Sequence, residues 1–160
     1  MKKTALITGA TAGIGRATAL KLSGMGYDVI VTGRRAERLE KLTLEIEGKG
    51  GSCRTLCFDI QSKDEVDKTM DSLGEQLDNI DLLVNNAGLA ATAEPIQSGS
   101  WEDWERMIDT NIKGLLAVSK RVIPGMIKRS RGHIVNLSSI AGKEAYANGN
   151  VYCATKHAVE

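Results

Sequence analysis

Short runs of apolar and β-branched residues alternate along the chain with longer stretches whose apolar residues recur every three or four positions. The short runs predict strands at residues 4–8, 29–32, 53–58, 80–84 and 134–137. The longer stretches predict helices at residues 13–24, 36–48, 63–77 and 101–129, the last with a break near Thr110. A further helix is predicted to begin near Asn150.

The predicted strands at residues 5–7, 82–84 and 134–135 are continuously apolar, which is typical of strands covered on both faces. Regular alternation of strand and helix favours right-handed crossovers and a parallel sheet. The predicted fold is therefore a doubly wound α/β fold of the Rossmann type, with three α/β/α layers. Without repeats or long linkers, residues 1–160 are expected to form one domain.

Composition narrows the possible functions. The 160 residues are 42% apolar and 26% charged, and the net charge of +1 gives no field for attracting nucleic acid or an anionic membrane. The first apolar run ends at Thr8 and Gly9, too early for a secretory signal. We therefore expect a cytoplasmic protein that binds neither nucleic acid nor membranes.

The three cysteines do not suggest a disulfide framework. Cys53 and Cys57 fall within one predicted strand, where a rise of about 3.3 Å per residue separates their α-carbons by roughly 13 Å, too far for a bridge. Only two histidines accompany them, so a zinc site is not expected.

A glycine-rich turn follows the first predicted strand and leads directly into a helix: its sequence is Thr8-Gly-Ala-Thr-Ala-Gly-Ile-Gly15. Glycines at such a turn let a pyrophosphate approach the backbone, and the helix N-terminus offers it unpaired amides. Three glycines could also serve an ordinary tight turn. The missing Gly-Lys-Ser/Thr ending excludes a nucleoside-triphosphate loop.

Two arginines follow the second predicted strand. An NAD site usually has an acidic residue about 20 residues beyond the glycine turn, but this region reads Thr32-Gly33-Arg34-Arg35. A guanidinium group matches a phosphate through a planar, charge-assisted fork, so the pattern favours NADP. Arg34, nearer the strand end, is the better candidate for the 2′-phosphate. The alternative is that both side chains face solvent.

Further motifs follow in order. Asp59 comes after the third predicted strand, Asn85-Asn86-Ala87-Gly88 after the fourth, Ser139 after the fifth, and Tyr152-Cys-Ala-Thr-Lys156 near the end. Together with the glycine turn and Asn111, they resemble the short-chain dehydrogenase/reductase family across essentially the whole chain. In that family the fold continues beyond the tyrosine helix, so the C-terminal part of the fold is expected to be absent from these 160 residues.

The resemblance implies a set of site residues. Asn111, Ser139, Tyr152 and Lys156 would be catalytic, although the adjacent Ser138 is a rival to Ser139. Asp59 would meet the adenine, and Asn85, Ala87 and Gly88 would line the adenosine side and steady the sheet. The residues expected to bind NADP are Gly9, Thr11, Gly13, Ile14, Gly15, Arg34, Arg35, Asp59, Ile60, Asn86, Ala87, Gly88, Tyr152 and Lys156.

The spacing of Tyr152 and Lys156 has a chemical consequence. Residues four apart share a helix face, and a cation beside a phenol lowers its pKa from about 10 towards the range of a working base. Ser139 would donate a hydrogen bond to the substrate oxygen. Asn111 would support a water that carries the proton onward through the lysine.

Shorter segments, among them Thr32-Gly33-Arg34-Arg35 and Glu102-Asp103-Trp104, resemble the NADP-dependent 3-hydroxy acid dehydrogenase branch. This implies a small alcohol or carbonyl substrate such as serine or allo-threonine, and a homodimer or homotetramer. Two alternatives stay open: a 3-ketoacyl or sugar-type reductase of the same family, and a dinucleotide-binding fragment without activity.

Overall fold

The computed structural model describes residues 2–160 and contains one parallel sheet of five strands in the order β3-β2-β1-β4-β5. The strands are β1 (Thr4–Ile7), β2 (Asp28–Gly33), β3 (Cys53–Cys57), β4 (Ile80–Asn85) and β5 (His133–Asn136). The helices are α1 (Gly13–Gly24), α2 (Ala36–Glu47), α3 (Lys63–Asp71), α4 (Glu75–Asp78), α5 (Trp101–Ile108), α6 (Leu115–Lys128) and α7 (Asn150–Val159). The predicted doubly wound α/β fold is confirmed.

The central strand β1 divides the apolar core into two layers. Ala5, Leu6 and Ile7 are fully buried, as the apolar run predicts. Ala5 and Ile7 pack with residues of α1 and α2 on one face, and Leu6 packs with residues of α3 and α6 on the other. Alternate residues of a strand point to opposite faces, so a strand covered by helices on both sides must be apolar throughout.

Strand β5 is not covered on both faces, although its apolar run predicted that it would be. Its four residues are half-buried or exposed, and Val135 is 39% exposed. Within residues 2–160 it is the last strand of the sheet, paired only with β4. Its apolar side chains therefore lie at a sheet edge, and the prediction that residues 134–135 are covered on both faces is wrong.

Two predicted helices are interrupted. The stretch 63–77 divides into α3 and the single turn α4, because Gly74 adopts a left-handed φ of +54° that ends the helical path. The stretch 101–129 divides near Thr110, as predicted, and residues Asp109–Gly114 form a π-helical segment between α5 and α6. Such segments widen a helix locally and often occur at functional sites.

The carboxyl ends of the strands meet along one edge of the sheet. The strand order reverses at β1 and β4, which are neighbours although separated in sequence. Open α/β sheets bind ligands in the crevice outside this reversal point. The segments that follow β1, β2, β3 and β4 carry most of the residues predicted to bind the cofactor, whereas Ser139 follows β5 and Tyr152 and Lys156 lie on α7.

Two negative findings apply to residues 2–160. None of the helices there is both long and apolar enough to cross a membrane. No group of His, Cys, Asp and Glu side chains in the same range could hold a metal ion, and Cys53, Cys57 and Cys153 are free thiols.

Candidate active site

A cleft of about 660 Å³ lies along the carboxyl ends of β1, β2, β3 and β4. Most of the residues predicted to bind NADP line it. They are Gly9, Thr11, Gly13, Ile14, Arg34, Arg35, Asp59, Ile60, Asn86, Ala87 and Gly88. Gly15 is instead buried behind the turn, and Tyr152 and Lys156 lie beyond the lining, on α7.

The glycine turn after β1 has the features that a phosphate requires. Gly9 has a φ of +67°, and a Cβ there would stand 2.8 Å from Cα of Ala87. Ala12 gives α1 no side-chain cap, and the first turn of this helix has no acidic residue. The amides and the positive dipole end of α1 therefore face the cleft without a protein anion to compete for them.

Thr8 and Asn86 hold the turn against the segment after β4. The Thr8 hydroxyl accepts hydrogen bonds from the backbone amides of Asn86 and Ala87, at 3.1 and 3.0 Å. In return, the Asn86 Nδ2 donates to the carbonyl oxygens of Thr8 and Gly9, at 2.8 and 3.1 Å. These reciprocal bonds fix the two walls of the cleft relative to each other.

The two arginines have different partners. Arg34 Nη1 lies 3.3 Å from Asp59 Oδ2 across the cleft mouth, and both side chains are partly exposed. Arg35 Nε donates to the Thr11 hydroxyl at 3.2 Å, which ties it to the glycine turn. Both arginines therefore line the cleft, although both are exposed to solvent.

Asn85 steadies the sheet but does not line the cleft. Its side chain is 3% exposed, and Nδ2 donates to Ser119 Oγ and Asn136 Oδ1, each at 2.9 Å. Its Oδ1 is buried without a partner among residues 2–160. As the last residue of β4, Asn85 points into the space between β5 and α6, and Asn86 supplies the cleft wall, so the prediction that Asn85 lines the adenosine side is wrong.

Asn111 lies in the π-helical segment and is 2% exposed. Its Oδ1 accepts from the Leu89 amide at 2.9 Å, and its Nδ2 donates to the Leu89 carbonyl at 2.9 Å and to the Thr155 hydroxyl at 3.0 Å. This one side chain connects the segment after β4 to the helix that bears Tyr152 and Lys156.

Lys156 is almost fully buried at the inner end of the cleft. Its Nζ donates to the Leu137 carbonyl at 2.9 Å and stands 6.0 Å from the centroid of the Tyr152 ring. A Cβ on Gly88 would lie 3.4 Å from this Nζ and 3.3 Å from Asn111 Oδ1. Burial lowers the pKa of Lys156 below its ordinary value of 10.5.

The two serines after β5 differ in their bonding. The Ser138 hydroxyl donates to the Lys156 carbonyl at 3.2 Å, so it is engaged by the backbone of α7. The Ser139 hydroxyl accepts from the Ala141 amide at 3.2 Å and caps the short turn Ile140–Gly142. An accepting bond leaves the Ser139 proton available to donate, which favours Ser139 over its rival.

Several residues of the site have no counterpart in the predicted set. Thr8 stands inside the glycine motif and could have been found there as a buried threonine between a strand and a glycine. Gln61, Thr110 and Thr155 gave no sequence indication. Gln61 Nε2 donates to the Thr110 hydroxyl at 2.8 Å, which links the segment after β3 to the π-helical segment.

Thr155→Val is expected to lower the free energy of unfolding by about 1–3 kcal/mol, because a buried hydrogen of Asn111 Nδ2 loses its acceptor. Thr155 itself is 1% exposed, and its hydroxyl also donates to the Tyr152 carbonyl at 2.8 Å. Urea denaturation followed by circular dichroism measures the change. Thr32→Val is the matched control, a substitution at an equally buried threonine that lacks such a bridge. Equal losses for the two variants would contradict the bridging role.

The burial of Lys156 predicts a dependence of stability on pH. Between the lowered pKa of the folded chain and 10.5, the unfolded chain binds a proton that the folded chain does not. The free energy of unfolding therefore rises with pH across that interval. Lys156→Met should remove this rise, and the exposed Lys120→Met should keep it. Urea titrations from neutral pH to pH 10 would refute the assignment if both variants kept the wild-type slope.

Comparison with known proteins agrees with this geometry. A model of the family described as short chain dehydrogenase matches residues 3–160, and the chain belongs to this family. Membership of this family, which the motifs predicted, is thereby confirmed.

The chain is 50% identical over 151 residues to the NADP-dependent 3-hydroxy acid dehydrogenase YdfG of Salmonella typhi, covering 94% of this chain and 60% of that protein. It is 46% identical over 156 residues to the serine 3-dehydrogenase of Agrobacterium fabrum, covering 98% of this chain and 61% of that protein. The solved closed form of serine dehydrogenase complexed with NADP+ superposes with a TM-score of 0.91 at 46% identity, covering 98% of this chain and 62% of that chain. The chain thus spans about 60% of the length of the curated relatives that it matches.

Proposed function

We propose that this chain carries the cofactor site and the catalytic residues of an NADP-dependent oxidoreductase that transfers a hydride between the nicotinamide and an alcohol or carbonyl. The observation that supports the proposal most directly is that the residues of the cleft and the predicted catalytic residues come together at Gly88. A cleft lined by glycines and arginines ends there, beside the buried Lys156 and Asn111. Lys156 in turn lies 6.0 Å from the ring centroid of Tyr152.

The cleft fits a dinucleotide with an additional phosphate. The uncapped N-terminus of α1 would receive the pyrophosphate, for the reasons given above. Arg34 and Arg35 would hold the 2′-phosphate, where an NAD site would have a carboxylate at the end of β2. The names of the relatives support this choice, since one is an NADP-dependent dehydrogenase and another was solved with NADP+.

When bound, NADP supplies a nicotinamide ring that accepts a hydride from the alcohol carbon. Tyr152 acts as the base that removes the hydroxyl proton, and the Lys156 ammonium lies beside its ring. Ser139 donates its free proton in a hydrogen bond to the substrate oxygen. Asn111 holds the segment after β4 against α7, and so keeps Lys156 and Tyr152 at the end of the cleft.

We infer that the substrate is a 3-hydroxy acid such as serine or allo-threonine. This rests on the two relatives named for 3-hydroxy acid and serine oxidation, which are 50% and 46% identical to the chain. We further infer a homodimer or homotetramer in the cytoplasm. The free thiols of Cys53, Cys57 and Cys153 suit a reducing compartment.

Titration calorimetry of NADP and NAD tests the cofactor, and reduction of NADP at 340 nm with serine, allo-threonine and 3-hydroxybutyrate tests the substrate. We expect NADP to bind more tightly than NAD. Losing a charge-assisted hydrogen bond should lower NADP affinity about 10- to 100-fold in the Arg34→Gln, Arg35→Gln double variant, with NAD affinity little changed. Arg38→Gln, on the exposed side of α2, is the control. Tighter binding of NAD by the wild type would overturn the cofactor assignment.

A further inference from the structure

We propose that Asp59 is the counter-ion of Arg34, and that it limits the preference of the cleft for a 2′-phosphorylated adenine nucleotide. The proposal rests on the proposed NADP site and assigns Asp59 a role in specificity in addition to meeting the adenine. It is carried by the ion pair at the cleft mouth, where Arg34 Nη1 lies 3.3 Å from Asp59 Oδ2.

The backbone places the two residues side by side. Gly33 of β2 pairs with Cys57 of β3, and the Phe58 amide donates to the Gly33 carbonyl at 3.1 Å. Arg34 is the first residue after β2, and Asp59 is the second residue after β3. Their side chains therefore leave the sheet at the same edge and both line the cleft.

Asp59 is held more firmly than Arg34. Its Oδ1 accepts from the Gln61 amide at 3.1 Å, and its own amide donates to Glu65 Oε2 at 2.8 Å. Arg34 makes its side-chain contact with Asp59 through one Nη atom, and its side chain is 57% exposed. The carboxylate is thus the fixed partner and the guanidinium the adjustable one.

A carboxylate beside the phosphate-binding guanidinium has a predictable effect. The Asp59 carboxylate neutralises part of the positive charge that would otherwise attract a 2′-phosphate. The carboxylate and the 2′-phosphate therefore compete for Arg34. The competition is mild, because partly exposed ion pairs are weak. A nucleotide without the 2′-phosphate leaves the ion pair intact and meets no such competition.

Asp59→Asn isolates this charge, since Asn has the same shape and keeps an oxygen for the Gln61 amide. The probes are adenosine 2′,5′-bisphosphate and adenosine 5′-monophosphate, with each Kd measured by titration calorimetry on the purified chain at low salt. We expect the ratio of the two affinities to shift about two- to five-fold towards the bisphosphate, the size of one partly exposed ion pair. Any loss of an adenine contact affects both probes equally and cancels in the ratio.

Three further measurements make the test specific. Asp64→Asn, which removes an exposed carboxylate in the first turn of α3, should leave the ratio unchanged. In an Arg34→Gln background, Asp59→Asn should also leave it unchanged, because the effect acts through Arg34. The shift should diminish in 0.5 M salt, where charges on the surface are screened.

If Asp59→Asn does not fold, Asp59→Ser replaces it in the same measurements, because serine also retains an acceptor for the Gln61 amide.

The outcomes separate this inference from the proposed function. A wild type that binds both probes equally would overturn the NADP site itself. A wild type that prefers the bisphosphate, with a ratio that Asp59→Asn and Asp59→Ser leave unchanged, would overturn only the role of Asp59. A shift that persists in the Arg34→Gln background would overturn the action through Arg34.

Discussion

Tyr152→Phe is expected to lower kcat/KM for NADP-linked oxidation of a 3-hydroxy acid by about 10²- to 10⁴-fold, the range that a positioned general base contributes. Phenylalanine keeps the ring beside Lys156 but has no oxygen to receive the hydroxyl proton. The loss should fall on kcat, because the cleft that would hold the dinucleotide lies at the strand ends and Tyr152 is not among its lining residues. The measurement is the initial rate of NADP reduction at 340 nm.

The control for this prediction is Tyr27→Phe. Tyr27 packs against the core on the α1 and α2 face, away from the cleft, and its hydroxyl has no place in the proposed chemistry. We expect its rate to stay within two-fold of the wild type. Calorimetry should give Tyr152→Phe an NADP affinity close to that of the wild type. Wild-type turnover by a folded Tyr152→Phe variant would remove Tyr152 from the mechanism.

The parts of the site that could be predicted from sequence are those set by the local chain. The glycine turn, the arginines after β2 and the Tyr152–Lys156 pair each depend on residues a few positions apart. A strand followed by a tight turn and a helix fixes the position of Gly9 with little help from the rest of the molecule. The same holds for Lys156, which shares a helix face with Tyr152 because the two residues lie four positions apart.

The parts that could not be predicted depend on packing between distant segments. The Thr155 hydroxyl meets Asn111 across 44 positions of sequence, and the Thr8 hydroxyl meets the Asn86 amide across 78. Thr155 does not differ from an ordinary buried threonine in the sequence, and the place of Thr8 in the glycine motif does not reveal its partner 78 positions away. The sequence also does not distinguish the roles of the adjacent Asn85 and Asn86. Because β4 ends at Asn85, Asn85 braces the sheet and Asn86 lines the cleft.

The burial of β5 was also predicted wrongly. An apolar run indicates that a strand can be covered on both faces, but the position of the strand in the sheet decides whether it is covered. Both strands contain an apolar run, yet β1 is central and its apolar residues are fully buried, whereas β5 lies at the edge in residues 2–160. The order of strands is a property of the whole fold, which a local pattern does not contain.

Gly15→Ala is expected to lower the free energy of unfolding by about 1–3 kcal/mol or more, the effect of forcing an extra methyl into a packed interior. The added Cβ would stand 2.7 Å from the Gly9 carbonyl oxygen and 3.1 Å from Cα of Ala10, both backbone atoms. It would also contact Asn86 Nδ2, which is held by its bonds to Thr8 and Gly9. None of these three neighbours can move without distorting the glycine turn.

Gly24→Ala is the matched substitution at the other end of the same helix. A Cβ at Gly24 would have no neighbour within 4 Å, so the change should leave stability unchanged or raise it by up to about 1 kcal/mol through helix propensity. Urea denaturation compares the two variants, and calorimetry with NADP gives a second readout. Because the displaced turn is the one that would receive the pyrophosphate, Gly15→Ala should also weaken NADP binding, and Gly24→Ala should not. Equal stability of the two variants would show that close packing at Gly15 does not hold the turn in place.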